Sequence, residues 1–165
     1  MADTNGIEDE LVFLPLGGCD EIGMNLNAYG YGPAHDRRWI IADLGVTFGS
    51  LETPGIDLIC ADPEYLIGEK IDAVFLTHAH EDHIGAVPYF AADLGVPIYA
   101  TPFTADLVRR KLDEAGLLDQ VEVNVISEDH GSFAVGPFEI TYLPLAHSIA
   151  EGNALLIDTP HGRIF

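Results

Sequence analysis

Basic residues are scarce in this sequence: seven Lys and Arg stand against 27 Asp and Glu in 165 residues, a formal net charge of −20. Arg109, Arg110 and Lys111 form the sole basic cluster, so the chain carries no basic footprint for a nucleic-acid backbone. Any polyanion it handles must be held by metal ions or by other protein. Cysteine is scarcer still. Cys19 and Cys60 are too few and too far apart for a disulfide framework or a zinc knuckle, which points to a reducing compartment. No apolar run approaches membrane-spanning length, and the polar, acidic residues 1–10 have neither the basic nor the apolar segment of a secretory leader. A cytoplasmic protein without a membrane partner is expected. A glycine-rich phosphate loop, a Ser-His-Asp order, a heptad and an internal repeat are missing as well. With 48% hydrophobic residues, however, this is no disordered acidic tail, and the length suits one folded domain over 11–165 behind a flexible 1–10.

What is present centres on residues 71–88, I-D-A-V-F-L-T-H-A-H-E-D-H-I-G-A-V-P. Ile71 to Thr77 is a nearly continuous apolar run rich in β-formers, the pattern of a strand buried on both faces. His78 and His80 are two apart, so an extended backbone projects both imidazoles to one side, where they can converge on one cation. Asp82 and His83 follow as the chain turns and can face a second cation. Imidazole with carboxylate suits zinc, and manganese or iron as the carboxylate share rises. The plain alternative is a polar loop with Asp82 capping the next helix, but it leaves three histidines unexplained. Three His and one Asp at these offsets arise by chance in about one chain in a thousand of this composition.

The flanking chain supplies further elements. Leu11 to Leu16, Leu26 to Tyr31 and Trp39 to Asp43 read as strands of a meander, the first two joined by G-G-C-D-E-I-G-M-N at 17–25, where the glycines require a tight turn or a close approach. Asp43 leaves the end of its strand, a place from which a carboxylate can orient a metal-bound histidine or cap the next loop. Residues 44–61 look irregular, long enough to wall a site. Asp62-Pro63 opens a short helix to about Gly68, Ile84 to Leu94 reads as one helix ended by Gly95, and Thr101-Pro102 starts a helix ended by Gly116. The βαβα order over 71–116 argues for parallel pairing. Val121 to Ile126, Ser132 to Val135 and Phe138 to Leu143 follow as strands, and 153–165 as a hairpin. His147 lies just past a strand end, as His78 does, and beside the first cluster becomes the expected third nitrogen ligand. His35, His130 and His161 have turn-like surroundings and are expected at the surface.

T-H-A-H-E-D-H at 77–83 matches the H-x-H-x-D-H signature of the metallo-β-lactamase superfamily, with Asp43 resembling its first-motif aspartate and His147 its third-motif histidine. Together with G-G-C-D-E-I-G-M-N, D-L-G-V-T-F, G-I-D-L-I and A-H-S-I, the pattern resembles the ribonuclease J nucleases of the β-CASP group, from about Leu11 to Phe165. The resemblance implies an α/β αββα sandwich with mixed sheets. It also implies a two-metal site of zinc, with manganese the alternative, in which a metal-bridging hydroxide hydrolyses RNA phosphodiesters both endonucleolytically and 5′ to 3′ exonucleolytically. By position, His78, His80 and His147 would hold one metal; Asp82 and His83 would hold the other and carry catalysis.

The family's metal-bridging aspartate, its last metal-binding histidine and its β-CASP insertion lie beyond G-R-I-F, where this sequence stops. On that resemblance the 165 residues are expected to be an N-terminal piece that holds one metal firmly, lacks nuclease activity alone, and forms a homodimer or higher oligomer through uncovered edges. Two rivals stand beside the nuclease: a lactamase- or thioesterase-type hydrolase of the same superfamily, against which the glycine-rich 17–25 segment argues, and a non-catalytic metal-binding module.

Overall fold

The structure, a computed structural model, describes residues 8–127 and 131–165. Strands β1 (Glu10–Gly17), β2 (Leu26–Gly32) and β3 (Arg38–Ala42) pair antiparallel as the expected meander. The central strand β6 (Lys70–Phe75) joins β3 in parallel, and β7 (Ile98–Ala100) and β8 (Val123–Val125) continue the parallel half of a six-stranded sheet. A second, four-stranded sheet has the order β12-β11-β10-β9, formed by β9 (Ser132–Val135), β10 (Phe138–Pro144), β11 (Asn153–Thr159) and β12 (Gly162–Ile164).

Alternate residues along β3 and along β6 and its continuation to Leu76 serve two different cores, which explains why Trp39–Ala42 and Ala73–Leu76 are unbroken apolar runs. Trp39, Ile41, Val74 and Leu76 face a core shared with helices α2 (Val87–Leu94) and α3 (Pro102–Glu114), through Val87, Ala91, Ala105, Val108 and Leu112. Ile40, Ala42, Ala73 and Phe75 face the other way, against Phe138, Ile140, Leu155 and Ile157 of the four-stranded sheet. A strand buried on both faces cannot alternate with polar residues, because each would leave an unpaired group in an apolar layer. The layers are therefore helices, sheet and sheet; among the described residues helices cover only the outer face of the six-stranded sheet.

Three local expectations need correction. Residues 44–61 are not irregular throughout: β4 (Val46–Phe48) and β5 (Leu58–Cys60) form a two-stranded hairpin, its short strands hidden in the sequence by the Gly- and Pro-rich loop between them. Asp62 does accept the Glu64 amide at 2.9 Å, but the helix it opens is one 3₁₀ turn, Glu64–Leu66. The single helix expected over Ile84 to Leu94 is two, α1 (Glu81–Ile84) and α2. A continuous helix would need the Asp82 carbonyl for Ala86; instead the backbone and side-chain amides of Asn25 bond it at 3.0 and 2.9 Å, and Ala86 N–H turns to Leu44 O at 2.8 Å. Pro88, lacking an N–H, removes another rung and suits the first turn of the new helix. His35 and His161 are exposed as expected, His161 bonding Tyr31 at 3.1 Å; the expectations for His130 and for residues 1–7 lie outside the described residues.

Candidate metal centre

Two strand ends, one from each sheet, supply the site. β6 pairs through Leu76, whose N–H bonds Tyr99 O at 2.9 Å, and the chain then leaves the sheet as Thr77-His78-Ala79-His80. β10 ends at Pro144, and His147 follows three residues later. Nε2 of His147 lies 3.1 Å from Nε2 of His78 and 3.1 Å from Nδ1 of His80, and those two nitrogens are themselves 3.1 Å apart. The three expected nitrogen ligands thus converge on one point, from side chains that are respectively exposed (His147), buried (His78) and half-buried (His80).

The donor set fits a cation. Nδ1 of His78 faces Thr77 Oγ1 at 2.9 Å, so the tautomer with its proton there leaves the Nε2 lone pair directed at the other two nitrogens. A triangle of such nitrogens has no satisfying set of protons but is close to the ~3.4 Å edges of a tetrahedral site with metal–nitrogen distances of ~2.1 Å. Burial, then the neighbouring His83, drives the pKa of His78 down from 6.5 to about 4, keeping the ring neutral and able to ligate. A cation held there supplies Lewis acidity and brings bound water towards neutral pKa.

Asp82 and His83 sit beside this triangle, their Oδ2 and Nε2 atoms 3.5 Å apart, and could hold a second cation. His83 is oriented from behind by the buried Asp43, whose Oδ2 lies 2.7 Å from its Nδ1. Burial alone would lower the His83 pKa; the hydrogen bond and charge of Asp43 outweigh it and hold the pKa above its ordinary value. Asp43 adopts a left-handed backbone (φ 66°), and its Oδ1 accepts the Thr77 N–H at 2.8 Å. The Asp43 carboxylate thus faces His83 and the Thr77 amide.

Sequence reasoning missed three supporting residues. Thr77 links Asp43 to both His78 and His83 through its hydroxyl. Asn25, at the end of the glycine-rich segment, holds the Asp82 carbonyl and lies 3.3 Å from His83 Nε2. Gly45 leaves room for that approach, since a Cβ there would sit 1.6 Å from Asp82 O. The available signal was the glycine density at 17–25, which demanded a close approach to something unspecified. The glycines there pack against Met24, the Asn25 side chain and Thr47, and so set the segment from which Asn25 reaches the metal loop. A cleft of about 290 Å³ opens over the site, lined by His78, His83, Leu145, His147 and Asn153 among others. A larger groove of about 640 Å³, between Leu66 and Phe90, lies by the start of β6 and contains none of these ligands.

Residues 38–162 match the β-lactamase superfamily domain. The chain belongs to the metallo-β-lactamase superfamily. Within that superfamily it is 42% identical over 159 residues to Ribonuclease J of Sinorhizobium meliloti, covering 95% of this chain and 28% of the relative. It is 38% identical over 152 residues to Ribonuclease J of Helicobacter pylori strain 26695, covering 91% of this chain and 22% of that protein. This chain therefore spans about a quarter of the length of these relatives. Among solved structures, a protein of unknown function from Enterococcus faecalis V583 superposes with a TM-score of 0.61 at 22% identity, over 92% of this chain and 41% of that one, and so shares the fold. The metallo-β-lactamase family and the His cluster support metal dependence, and His78, His80 and His147 are residues that could hold the ion.

Proposed function

We propose that the chain is the metal-holding part of a cytoplasmic ribonuclease that hydrolyses RNA phosphodiesters as an endonuclease and a 5′ to 3′ exonuclease. The observation that carries the reading is the convergence of His78, His80 and His147 beside Asp82 and His83, in a chain that matches Ribonuclease J over 95% of its length. The ion at the triangle is zinc, because three neutral imidazoles with an open fourth position form a zinc set, and Asp82 with His83 offers the harder ligands of a second ion.

The charge pattern supports a substrate gripped through metal. Lys111 and Arg110 of the basic cluster are paired with Glu81 and Asp106, which leaves Arg109, bonded to Val123 O, as the one cation of the cluster without a carboxylate partner among the described residues. With a net charge of −20 around it, a single arginine is a weak grip, and the main electrostatic attraction for a phosphodiester comes from the metal centre. The remaining work falls to the chain's own groups: Asp43 and Thr77 fix the ring orientations, and Asn25 sets the backbone of Asp82.

The test is RNA cleavage by a protein of the relatives' length, with zinc or manganese added. His80→Ala is expected to abolish cleavage while the circular dichroism spectrum stays unchanged. Turnover surviving that substitution would place the chemistry elsewhere. Hydrolysis of a β-lactam or thioester, with RNA left intact, would replace the substrate class.

A further inference from the structure

We infer that Glu151 is a positioning residue for the metal centre, latching the loop that carries His147 onto the N-terminus of α3; this rests on the metal-centre reading above. Helix α3 starts without a cap of its own. Thr101, at the N-cap position, makes no capping bond, its hydroxyl pointing instead to Thr104 Oγ1 at 3.4 Å, and the first turn contains no acidic residue. The Phe103 amide, one of the donors a helix leaves unpaired, is taken by Glu151 Oε2 at 2.8 Å from 48 residues away. A carboxylate in that position meets both an N–H and the positive end of the helix.

The backbone around Glu151 turns this cap into a constraint on His147. Glu151 itself is left-handed (φ 54°), and its carbonyl accepts Asn153 Nδ2 at 2.7 Å. Gly152 O accepts the Leu145 amide at 2.8 Å, closing the loop, and a Cβ on Gly152 would lie 2.8 Å from the His147 Cβ. The latch therefore sits directly beneath the ligand. His78 has Thr77 on its second nitrogen to fix the ring, whereas His147 makes no hydrogen bond among the described residues except to the nitrogens of His78 and His80. With no partner behind the ring, the position of its loop is what places Nε2 in the triangle.

A double-mutant cycle on the 165-residue chain tests this. Zn²⁺ affinity is measured against a chromophoric chelator, and Co²⁺ visible spectra report the ligand set, for wild type, E151A, E151Q, H147A, E151A/H147A and E151Q/H147A. E151A is expected to weaken Zn²⁺ binding about 10- to 100-fold and to reduce the intensity of the tetrahedral Co²⁺ bands. E151Q, which can still accept the Phe103 N–H but brings no charge, is expected between the two. In the H147A background the same substitution should cost less than about twofold, since the latch then has no ligand to place. Wild-type affinity in E151A, or an equal loss with and without His147, would overturn the inference while leaving the metal centre standing. Wild-type Zn²⁺ affinity in H147A would overturn the metal-centre reading itself. Should E151A not fold, E151Q carries the same comparison in both backgrounds.

Discussion

The loop from Thr77 to His83 and the loop from Leu145 to Gly152 meet at the same three nitrogens but are built in opposite ways. The first is held from both sides: Asp43 and Thr77 behind the rings, Asn25 on the Asp82 carbonyl, and the Leu44 amide on His83 O at 2.8 Å. His78 is 7% exposed there, and even the backbone of the short α1 is captured by residues 25 and 44. The second loop is mostly exposed and is closed by the Leu145–Gly152 bond and the Glu151 latch. One half of the site is thus preorganised by the core, and the other is brought to it at low cost. Ordering a loop on binding subtracts from affinity, so the looser half should govern how tightly the ion is held.

The comparison predicts different failures for ligands on the two sides. His78→Ala and His147→Ala should both weaken Zn²⁺ binding in a chelator competition by more than E151A does, leaving a residual affinity that can still be measured. Only the first should alter the metal-free protein: exposed His147 can be removed within about 0.5 kcal/mol, whereas the buried His78 leaves a cavity against the Thr77 hydroxyl. Equal urea midpoints for the two metal-free variants would erase the distinction. Asp43→Ala comes next, with a loss of about 3 kcal/mol in urea unfolding of the metal-free chain, because the part-buried Thr77 N–H loses its acceptor and His83 its partner. An unchanged midpoint would mean that the brace is incidental.

The smallest effect is the pH dependence of the metal-free chain, which sharpens the comparison within the braced half. The rings of His78 and His83 have centroids 3.9 Å apart and their pKa values move in opposite directions. For His78 the folded value, about 4, is below the ordinary 6.5, so its contribution is complete above pH 6.5 and is lost as pH falls towards 4. For His83 the folded value is raised, so its contribution is complete below pH 6.5 and is lost as pH rises through that folded value. The difference in urea midpoint between wild type and H78A should therefore shrink or reverse on going from pH 7 to pH 5. A difference independent of pH over that range would refute the assignment.

Much of this was legible because it is local. The two-residue spacing of His78 and His80 places both rings on one side of an extended backbone, and the doubly apolar run before them identifies a strand with two buried faces. Helix α3 announced itself through Pro102 at its start and Gly116 at its end, where φ is 71°. The β4–β5 hairpin and the break between α1 and α2 were not legible. In the second case the deciding groups, Asn25 and Leu44, lie far along the chain from the carbonyl and amide they capture. No window around residues 81–94 contains them.

The sequence by itself determined the ligand types, the chemistry they suit and the strand that carries two of them, because side-chain identity and a period of two are written within a few residues. The sequence also nominated His147, but only the tertiary structure decided how that residue, 69 positions away and on the other sheet, meets the other two, that Asn25 supports Asp82, and that Glu151 borrows the end of α3. Those are contacts between distant loops. Their geometry comes from how two sheets twist and pack on the shared layer of Phe75, Ile40, Phe138 and Ile157, a collective property of the whole buried surface that no local pattern encodes.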